Sequence, residues 1–227
     1  MRKKFAIAII PAFNEEKKIG KVVNEVSQYV HRVVVVDDGS RDRTAAAIKN
    51  RKAIIITHLM NLGQGAALQT GFEYAKEVGA DLVLTYDADG QFKASDIPKM
   101  IAPILKKKAE VVFGSRFLGS TVDMPFLRLL ILKIGIYFTY LFSHISLSDT
   151  HNGFRAFSKK ALTILDIKHN RWSHPSDIIY QVSRNRLKVL EVPVTVTYSK
   201  YSRGKGQSNT EALKIPFELI FKALFGV

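Results

Sequence analysis

The chain has no cysteine among its 227 residues, so neither a disulfide framework nor a thiolate metal site is available to it. Its stability must rest on an apolar core, and the lack suits a reducing compartment. Nor does it contain a run of about 18 uninterrupted apolar residues, so no membrane-spanning helix is expected. The apolar run at residues 5–10 behind Met1-Arg2-Lys3-Lys4 is short for a signal peptide. It also meets Pro11-Ala12-Phe13 without a small-residue cleavage site. A first buried strand and a cytoplasmic location are the expectation. Acidic side chains are scarce, 20 against 34 Lys and Arg, which leaves a formal net charge of +14. That excess points to anionic company: nucleic acid, an anionic membrane surface or phosphorylated substrates. The basic clusters at 106–108, 159–160, 184–188 and 200–205 lack interleaved aromatics and any nucleic-acid motif, so no nucleic-acid partner is expected.

What the chain does contain is repeated apolar runs. With 47% hydrophobic residues it can bury a full core and fits one α/β domain. The runs at 5–10, 32–36, 53–57, 82–86 and 111–113 are continuous rather than alternating, as in strands covered on both faces of a parallel sheet. Residues 15–29, 41–50, 65–78 and 95–105 read as intervening helices, which makes a βαβ series. Ser40 or Asp42 would cap the second of these. After Arg116 the pattern changes. Residues 125–142 form a long apolar helix, interrupted by Arg128 and Lys133, that is either a core helix or an interfacial one. Residues 149–155 read as a polar loop, 156–166 and 175–185 as short helices, and 187–198 as a strand pair hinged at Pro193. Residues 199–209, rich in Gly, Ser and Lys, read as a mobile lid. In the tail Leu213, Phe217, Ile220 and Leu224 share one helical face, suited to the core, to a partner or to a membrane interface. The expected division is a domain over 1–210 and an amphipathic helix over 211–227.

Polar residues gather where the strands end, which is where open sheets of this kind bind ligands. Asp87-Ala88-Asp89 closes the fourth run and Gly90-Gln91 follows, so two carboxylates and an amide share one strand end. Hard oxygen donors of that kind hold a divalent cation that keeps water and substrate phosphates in its shell. In Asp37-Asp38-Gly39-Ser40, helix capping accounts for one aspartate but not for two. Asn61-Leu62-Gly63-Gln64-Gly65-Ala66 has glycines that let backbone amides approach an anion at a helix start, without the Walker lysine arrangement.

Taken in order with Pro11-Ala12-Phe13-Asn14-Glu15-Glu16 and Gly114-Ser115-Arg116, these segments follow the succession of motifs in inverting glycosyltransferases of family 2. The chain resembles the dolichyl-phosphate-mannose-synthase-like, or polyprenyl-phosphate glycosyltransferase, branch. The likeness continues through Asp149-Thr150-His151-Asn152-Gly153-Phe154-Arg155 and Glu191-Val192-Pro193-Val194 to Gly206-Gln207-Ser208. The resemblance implies a GT-A fold, a single Rossmann-like, mostly parallel sheet flanked by helices, with C-terminal amphipathic helices. It also implies a nucleotide-sugar donor, with Mg²⁺ or Mn²⁺ bridging the donor diphosphate. Pro11, Phe13 and Glu15 would line the base and ribose pocket, and Asp37 and Asp38 would accept hydrogen bonds from base or sugar. Asp87 would lie by the ribose or the metal, Asp89 and Gln91 would ligate the ion, and Asp87, Asp89 and Arg116 would form the catalytic set. Arg116 and Arg128 match positions that contact phosphates, for which the planar guanidinium fork is suited. Arg155 would reach the acceptor phosphate, and Arg203 and Lys205 resemble the mobile basic loop that closes over the diphosphate. Two departures stand out: Gln64 occupies a position where relatives often carry Lys, and His151-Asn152 replaces the commoner residues of the acceptor loop. On side-chain grounds alone Arg128 is also a lone cation snorkelling from an apolar helix.

The implied reaction moves a hexose from a GDP- or UDP-sugar onto a polyprenyl phosphate at the cytoplasmic face of the membrane. A phosphate oxygen is already anionic near neutral pH and needs no strong general base; a saccharide hydroxyl, the alternative acceptor in cell-surface polysaccharide synthesis, would need one. His174 and Asp177 are the candidates for that base, and both also suit a helix start. Spanning helices common at the C-terminus of this branch are missing, so membrane access would rest on the terminal helix or on an integral membrane protein partner. A sugar-1-phosphate nucleotidyltransferase would need a Gly-rich, Arg-containing loop after the first strand, and residues 11–16 hold no glycine. A membrane-binding module built on a dead transferase sits poorly with intact Asp87, Asp89, Gln91 and Arg116.

Overall fold

The computed structural model describes residues 4–168 and 174–199. Arg203, Lys205, the expected lid from residue 200 onward and the 211–227 helix lie outside the described residues. Seven strands, β1 (Ala6–Ala12), β2 (Arg32–Asp37), β3 (Ala53–Thr57), β4 (Leu82–Thr85), β5 (Val111–Val122), β6 (Arg155–Ser158) and β7 (Val189–Thr197), form one sheet in the order β3-β2-β1-β4-β6-β5-β7. All pairings are parallel except those of β6, which runs antiparallel between β4 and β5. The helices are α1 (Ile19–Val26), α2 (Gln64–Glu77), α3 (Ile97–Leu105), α4 (Phe126–Ser143), α5 (Lys159–Ile164) and α6 (His174–Arg184).

Period-two alternation splits each central strand between two cores. Ala8, Ile10, Val33 and Val35 face one core, closed by Ile19, Val22 and Val23 of α1 and by Ile97 and Met100 of α3. Ile7, Ile9, Val34 and Val36 face the other, under Phe72 of α2, Leu162 of α5 and Ile178 and Ile179 of α6. Because both faces are covered, neither needs polar residues, which is why the runs read as continuous. Each such fully buried Val or Ile side chain contributes about 1.5–3 kcal/mol.

Four local expectations differ from the structure. Residues 41–50 form only a short 3₁₀ turn, Ala45–Ala47, because nearby backbone donors are met by side chains of the neighbouring loop instead of by helical carbonyls. Residues 156–166 begin as strand β6 and turn helical only at Lys159, where Ser158 accepts from the Ala161 amide as N-cap. Residues 187–198 contain one strand, β7, rather than a pair; Pro193 is accommodated near the shift of register against β5 between Ser115 and Ser120. Of the two readings of the 125–142 helix the core one does not hold, since most of its large side chains are partly or fully exposed and, among its described residues, only Leu132, Thr139 and Ser143 are buried.

Candidate functional site

The first two strand-end loops are laced together by side chains. Ser40 Oγ accepts from Asn14 N at 2.9 Å, Asn14 Oδ1 accepts from Arg41 N at 2.8 Å and Thr44 Oγ1 accepts from Glu15 N at 2.7 Å. This web sets Pro11, Phe13 and Glu15 beside Asp37. Pro11 and Glu15 are buried, and Phe13 presents its ring to solvent. Asp37 Oδ1 accepts from Ser40 N at 3.1 Å. Asp38, only 3% exposed, turns inward: its carboxylate meets His58 Nδ1 at 2.7 Å and accepts from the amides of Leu62 at 3.0 Å and Gly63 at 2.7 Å. Asp38 therefore anchors the loop before α2, a task that the doublet in the sequence does not reveal. Gly39 is required at this junction, because its φ is +70° and a Cβ would lie 2.6 Å from the Met60 carbonyl carbon.

The fourth strand end carries Asp87 and Asp89. Gln64 donates to Asp87 Oδ1 at 3.1 Å, and Gln91 N donates to Asp89 Oδ1 at 3.0 Å. Gln91 also accepts from Thr197 N through its carbonyl at 2.9 Å, which ties the carboxylate turn to the end of β7. Burial and then the neighbouring Asp87 charge push the Asp89 carboxyl up to about 7. Burial raises Asp87 as well, against the opposing charges of Arg155 and Arg116. A pair of close, partly buried carboxylates that hold each other's protons is relieved by a cation, and the donors are hard oxygens. Among the described residues no group of three His, Cys, Asp or Glu side chains forms a metal cage, so an ion here would depend on water and substrate oxygens to complete its shell. The residues present fit Mg²⁺ or Mn²⁺ of the kind that travels with a diphosphate.

Strand β6 explains how residues 149–155 reach the same place. Running antiparallel, it begins at the C-terminal ends of its parallel neighbours, with Arg155 opposite Thr85 and Phe113. Thr85 Oγ1 donates to the Gly153 carbonyl at 2.7 Å and pins the loop behind Asp87. A Cβ on Gly153 would lie 2.5 Å from both Asp87 carboxylate oxygens, so Gly153→Ala must displace Asp87. We expect at least about a 100-fold loss of transfer, the usual order for a misplacement near 1 Å, with an unchanged circular dichroism spectrum. Steady-state rates measured beside thermal melts check this.

Arg155 is 2% exposed and does not point outward. Its Nε donates to the Asn152 carbonyl at 2.9 Å and its Nη2 to the Thr150 carbonyl at 3.3 Å. Burial lowers it to about 10, with Asp87 and Asp149 opposing. It lies inside the protein, close enough to Asp87 to feel its charge. His151, lowered to about 4 mainly by burial, is neutral at neutral pH. Of the two base candidates, Asp177 accepts from Lys168 N at 3.1 Å and from Gln181 at 2.9 Å, and His174 is buried.

Arg116 sits where β5 leaves its pairing with β6. It donates from Nε to Asp149 Oδ2 at 2.6 Å and from Nη1 to the Tyr198 hydroxyl. Burial pulls its pKa down, but Asp149 and Tyr198 more than offset this and hold it above the usual arginine value. Asp149 is set in turn by Glu191, whose carboxylate accepts from the amides of Ser148 at 2.9 Å and Asp149 at 3.2 Å. Arg128, on the first turn of α4, stands close enough to Arg116 to feel its charge; burial lowers its pKa, and its Nε is buried without a partner among the described residues. An open groove of about 490 Å³ lies beside the pair, lined by Arg116, Met124, Phe126 and Leu129. Along the outside of α4, Phe126 (80% exposed), Leu127, Leu130, Ile134, Tyr137 and Leu141 form one apolar stripe. Sequence reasoning did not single out Asp149, Glu191 or Tyr198 as individual positions. Asp149 and Glu191 lie in segments with a motif signal, whereas Tyr198 has none.

A mostly parallel α/β/α sheet with one antiparallel strand and acidic strand-end loops defines a glycosyltransferase of the GT-A fold. The model of the family described as "Glycosyl transferase family 2" matches residues 7–165, and the chain belongs to that family. It is 35% identical over 223 residues to an uncharacterised protein of Methanocaldococcus jannaschii, covering 96% of this chain and 91% of that protein. It is also 35% identical to the UDP-N-acetylglucosamine–dolichyl-phosphate N-acetylglucosaminyltransferase of Methanococcus voltae, covering 97% of this chain and 96% of the relative. The polyprenol monophosphomannose synthase of Mycolicibacterium smegmatis is 27% identical over 91% of this chain and 83% of its own. These relatives support the polyprenyl-phosphate glycosyltransferase branch. Among solved structures, glucosyl-3-phosphoglycerate synthase from Mycobacterium tuberculosis, in complex with Mn²⁺, UDP and phosphoglyceric acid, superposes with a TM-score of 0.77. It does so at 16% identity, over 97% of this chain and 78% of that one, a likeness of fold.

Proposed function

We propose that the protein is an inverting, metal-dependent hexosyltransferase that carries a sugar from a nucleotide-sugar to a polyprenyl phosphate at a membrane surface. The observation that carries this reading is the juxtaposition along one sheet edge of a carboxylate pair, Asp87 and Asp89, with two adjacent guanidiniums, Arg116 and Arg128. Asp87 and Asp89, with Gln91, would hold Mg²⁺ or Mn²⁺. When bound, such an ion offsets the charge that builds on a departing diphosphate. Pro11, Phe13, Glu15 and Asp37 would receive the nucleoside, with Asp38 keeping the adjoining loop in place. Arg203 and Lys205 would close on the diphosphate. Arg116 and Arg128 would receive the acceptor phosphate at the groove, and Arg155 would hold Asp87 in register from behind. A neutral His151 and an engaged Asp177 suit an acceptor that arrives already ionised.

The α4 stripe supports a membrane-surface site. Six large apolar side chains in one line exceed the scattered exposure of an ordinary surface. Among the described residues no helix is long and apolar enough to cross a bilayer. Contact would therefore be peripheral there, and action at the cytoplasmic face, with or without an integral membrane protein partner, is part of the proposal. The test is transfer from radiolabelled UDP- and GDP-sugars, with Mg²⁺ or Mn²⁺ and after chelation, to polyprenyl phosphate and to oligosaccharides. Metal-dependent label in the lipid phosphate alone is the expected result; label in oligosaccharide alone would move the acceptor to a saccharide hydroxyl.

A further inference from the structure

We propose that His58 is a positioning residue that sets the start of α2, and with it the Gln64 side chain, against the Asp87 carboxylate. The proposal rests on the metal site proposed above and adds a residue to it from outside the acidic strand ends. Helix α2 begins without a side-chain cap of its own, at Gly63 with a φ of +104°, so the place of its first turn is fixed from outside. Asp38 does the fixing, its Oδ1 accepting from the Leu62 amide at 3.0 Å and its Oδ2 from the Gly63 amide at 2.7 Å. One residue further on, Gln64 Nε2 donates to Asp87 Oδ1 at 3.1 Å. The start of α2 is therefore a strut between the ends of β2 and β4, which β1 separates in the sheet.

His58 fixes that strut. A carboxylate that already takes two amides accepts from the ring as well, so His58 Nδ1 is the donor to Asp38 Oδ1 at 2.7 Å. On the other side of the ring, Nε2 meets Thr70 Oγ1 at 2.9 Å, in the second turn of α2. A hydroxyl can donate to a ring lone pair or accept from a ring N–H, so this contact closes in either protonation state of the imidazole. The ring is itself held, since its side chain is only 10% exposed and the His58 amide donates to the Asp37 carbonyl at 2.9 Å. Apolar packing of Leu68 and Phe72 presses α2 onto the sheet but, being non-directional, does not by itself aim Gln64. Two polar ties spaced along the helix do. The amide at position 64 then orients Asp87 without cancelling the negative charge that a cation needs.

His58→Phe keeps a ring and removes both polar ties. The expected result is a rise of at least about tenfold in the Kd of Mn²⁺ with UDP or GDP, read by electron paramagnetic resonance of the ion. Thr70→Val should weaken binding in the same direction, and Thr70→Ser, which keeps the hydroxyl, should bring it back. In a Gln64→Ala background His58→Phe should add little, since there is then no side chain to aim. An unchanged Kd in His58→Phe, or an effect fully additive with Gln64→Ala, would overturn the inference; a lower melting temperature with an unchanged Kd would leave His58 a residue of the fold only. If the unaltered protein binds no Mn²⁺ with either diphosphate, the metal reading has failed instead. The side-chain amide resonance of Gln64, assigned by its loss in Gln64→Ala, then decides the tie: a shift in Thr70→Val that is absent in Thr70→Ser supports it, and an unmoved resonance sinks it.

Discussion

Asp89→Ala should abolish sugar transfer, by at least about 1,000-fold, while the protein stays folded. The magnitude follows from the proposed role: losing one of two carboxylates on a cation that must offset a leaving diphosphate removes several kcal/mol of transition-state stabilisation. The second half follows from linkage. Burial and Asp87 raise the Asp89 carboxyl to about 7, so the folded state binds this proton more tightly than the unfolded chain does. Its ionisation therefore lowers stability progressively as pH rises from about 4 to about 7. Removing a group that opposes folding at neutral pH leaves the fold as stable as before or more so. Thermal melts at pH 8 in chelator should show an unchanged or higher midpoint for Asp89→Ala, and no gain below pH 4. The same variant should lose the melting shift that Mn²⁺ with nucleoside diphosphate gives the unaltered protein. Full transfer activity in Asp89→Ala would refute the metal assignment.

Arg116→Met is expected to lower activity too, but with the opposite effect on stability, which it should reduce. Asp149 is 1% exposed, its Oδ1 has no partner among the described residues, and its Oδ2 has the Arg116 guanidinium at 2.6 Å as its one charged donor, beside the Arg116 amide at 3.1 Å and the Asn152 side chain at 3.3 Å. Taking the guanidinium away strands a buried carboxylate, a change that costs about 3–5 kcal/mol. At this chain length each kcal/mol moves the melting temperature by about 2–4 °C, so a drop of about 6–20 °C is expected. Adding Asp149→Asn should restore much of that stability, because the stranded charge is gone. It should not restore transfer, because the Arg116 guanidinium is still missing from the groove. Recovery of activity together with stability would mean that Arg116 serves only the fold.

These two cases show why sequence alone ranks the residues unevenly. Asp87 and Asp89 stand together at the end of an apolar run, so their place at a strand end follows from local order. Arg116 and Arg128 are visible as cations, but the partners of Arg116 come from residues 149 and 198, far along the chain. Arg155 shows the limit most clearly. As the last residue of a polar loop it reads as a reaching side chain, whereas β6 carries it inside, behind Asp87. A four-residue strand, Arg155–Ser158, has too few positions to show periodicity, and its neighbours β4 and β5 are chosen by packing rather than by adjacency. Asp38 is a similar case, since its doublet with Asp37 suggests a shared task, and the turn at Gly39 gives the two carboxylates different surroundings.

The sequence by itself determined the layered α/β architecture and the acidic strand-end motifs, because continuous apolar runs and turn residues act over a few neighbouring positions. Tertiary structure alone decided that the Asp38 carboxylate serves the loop before α2, and where β6 enters. It also decided that Asp149 and Tyr198 hold Arg116 and that α4 keeps an apolar face outside. Those outcomes depend on backbone donors and buried charges finding partners across 24 to 82 residues of chain. Spacing along a sequence encodes no such distance.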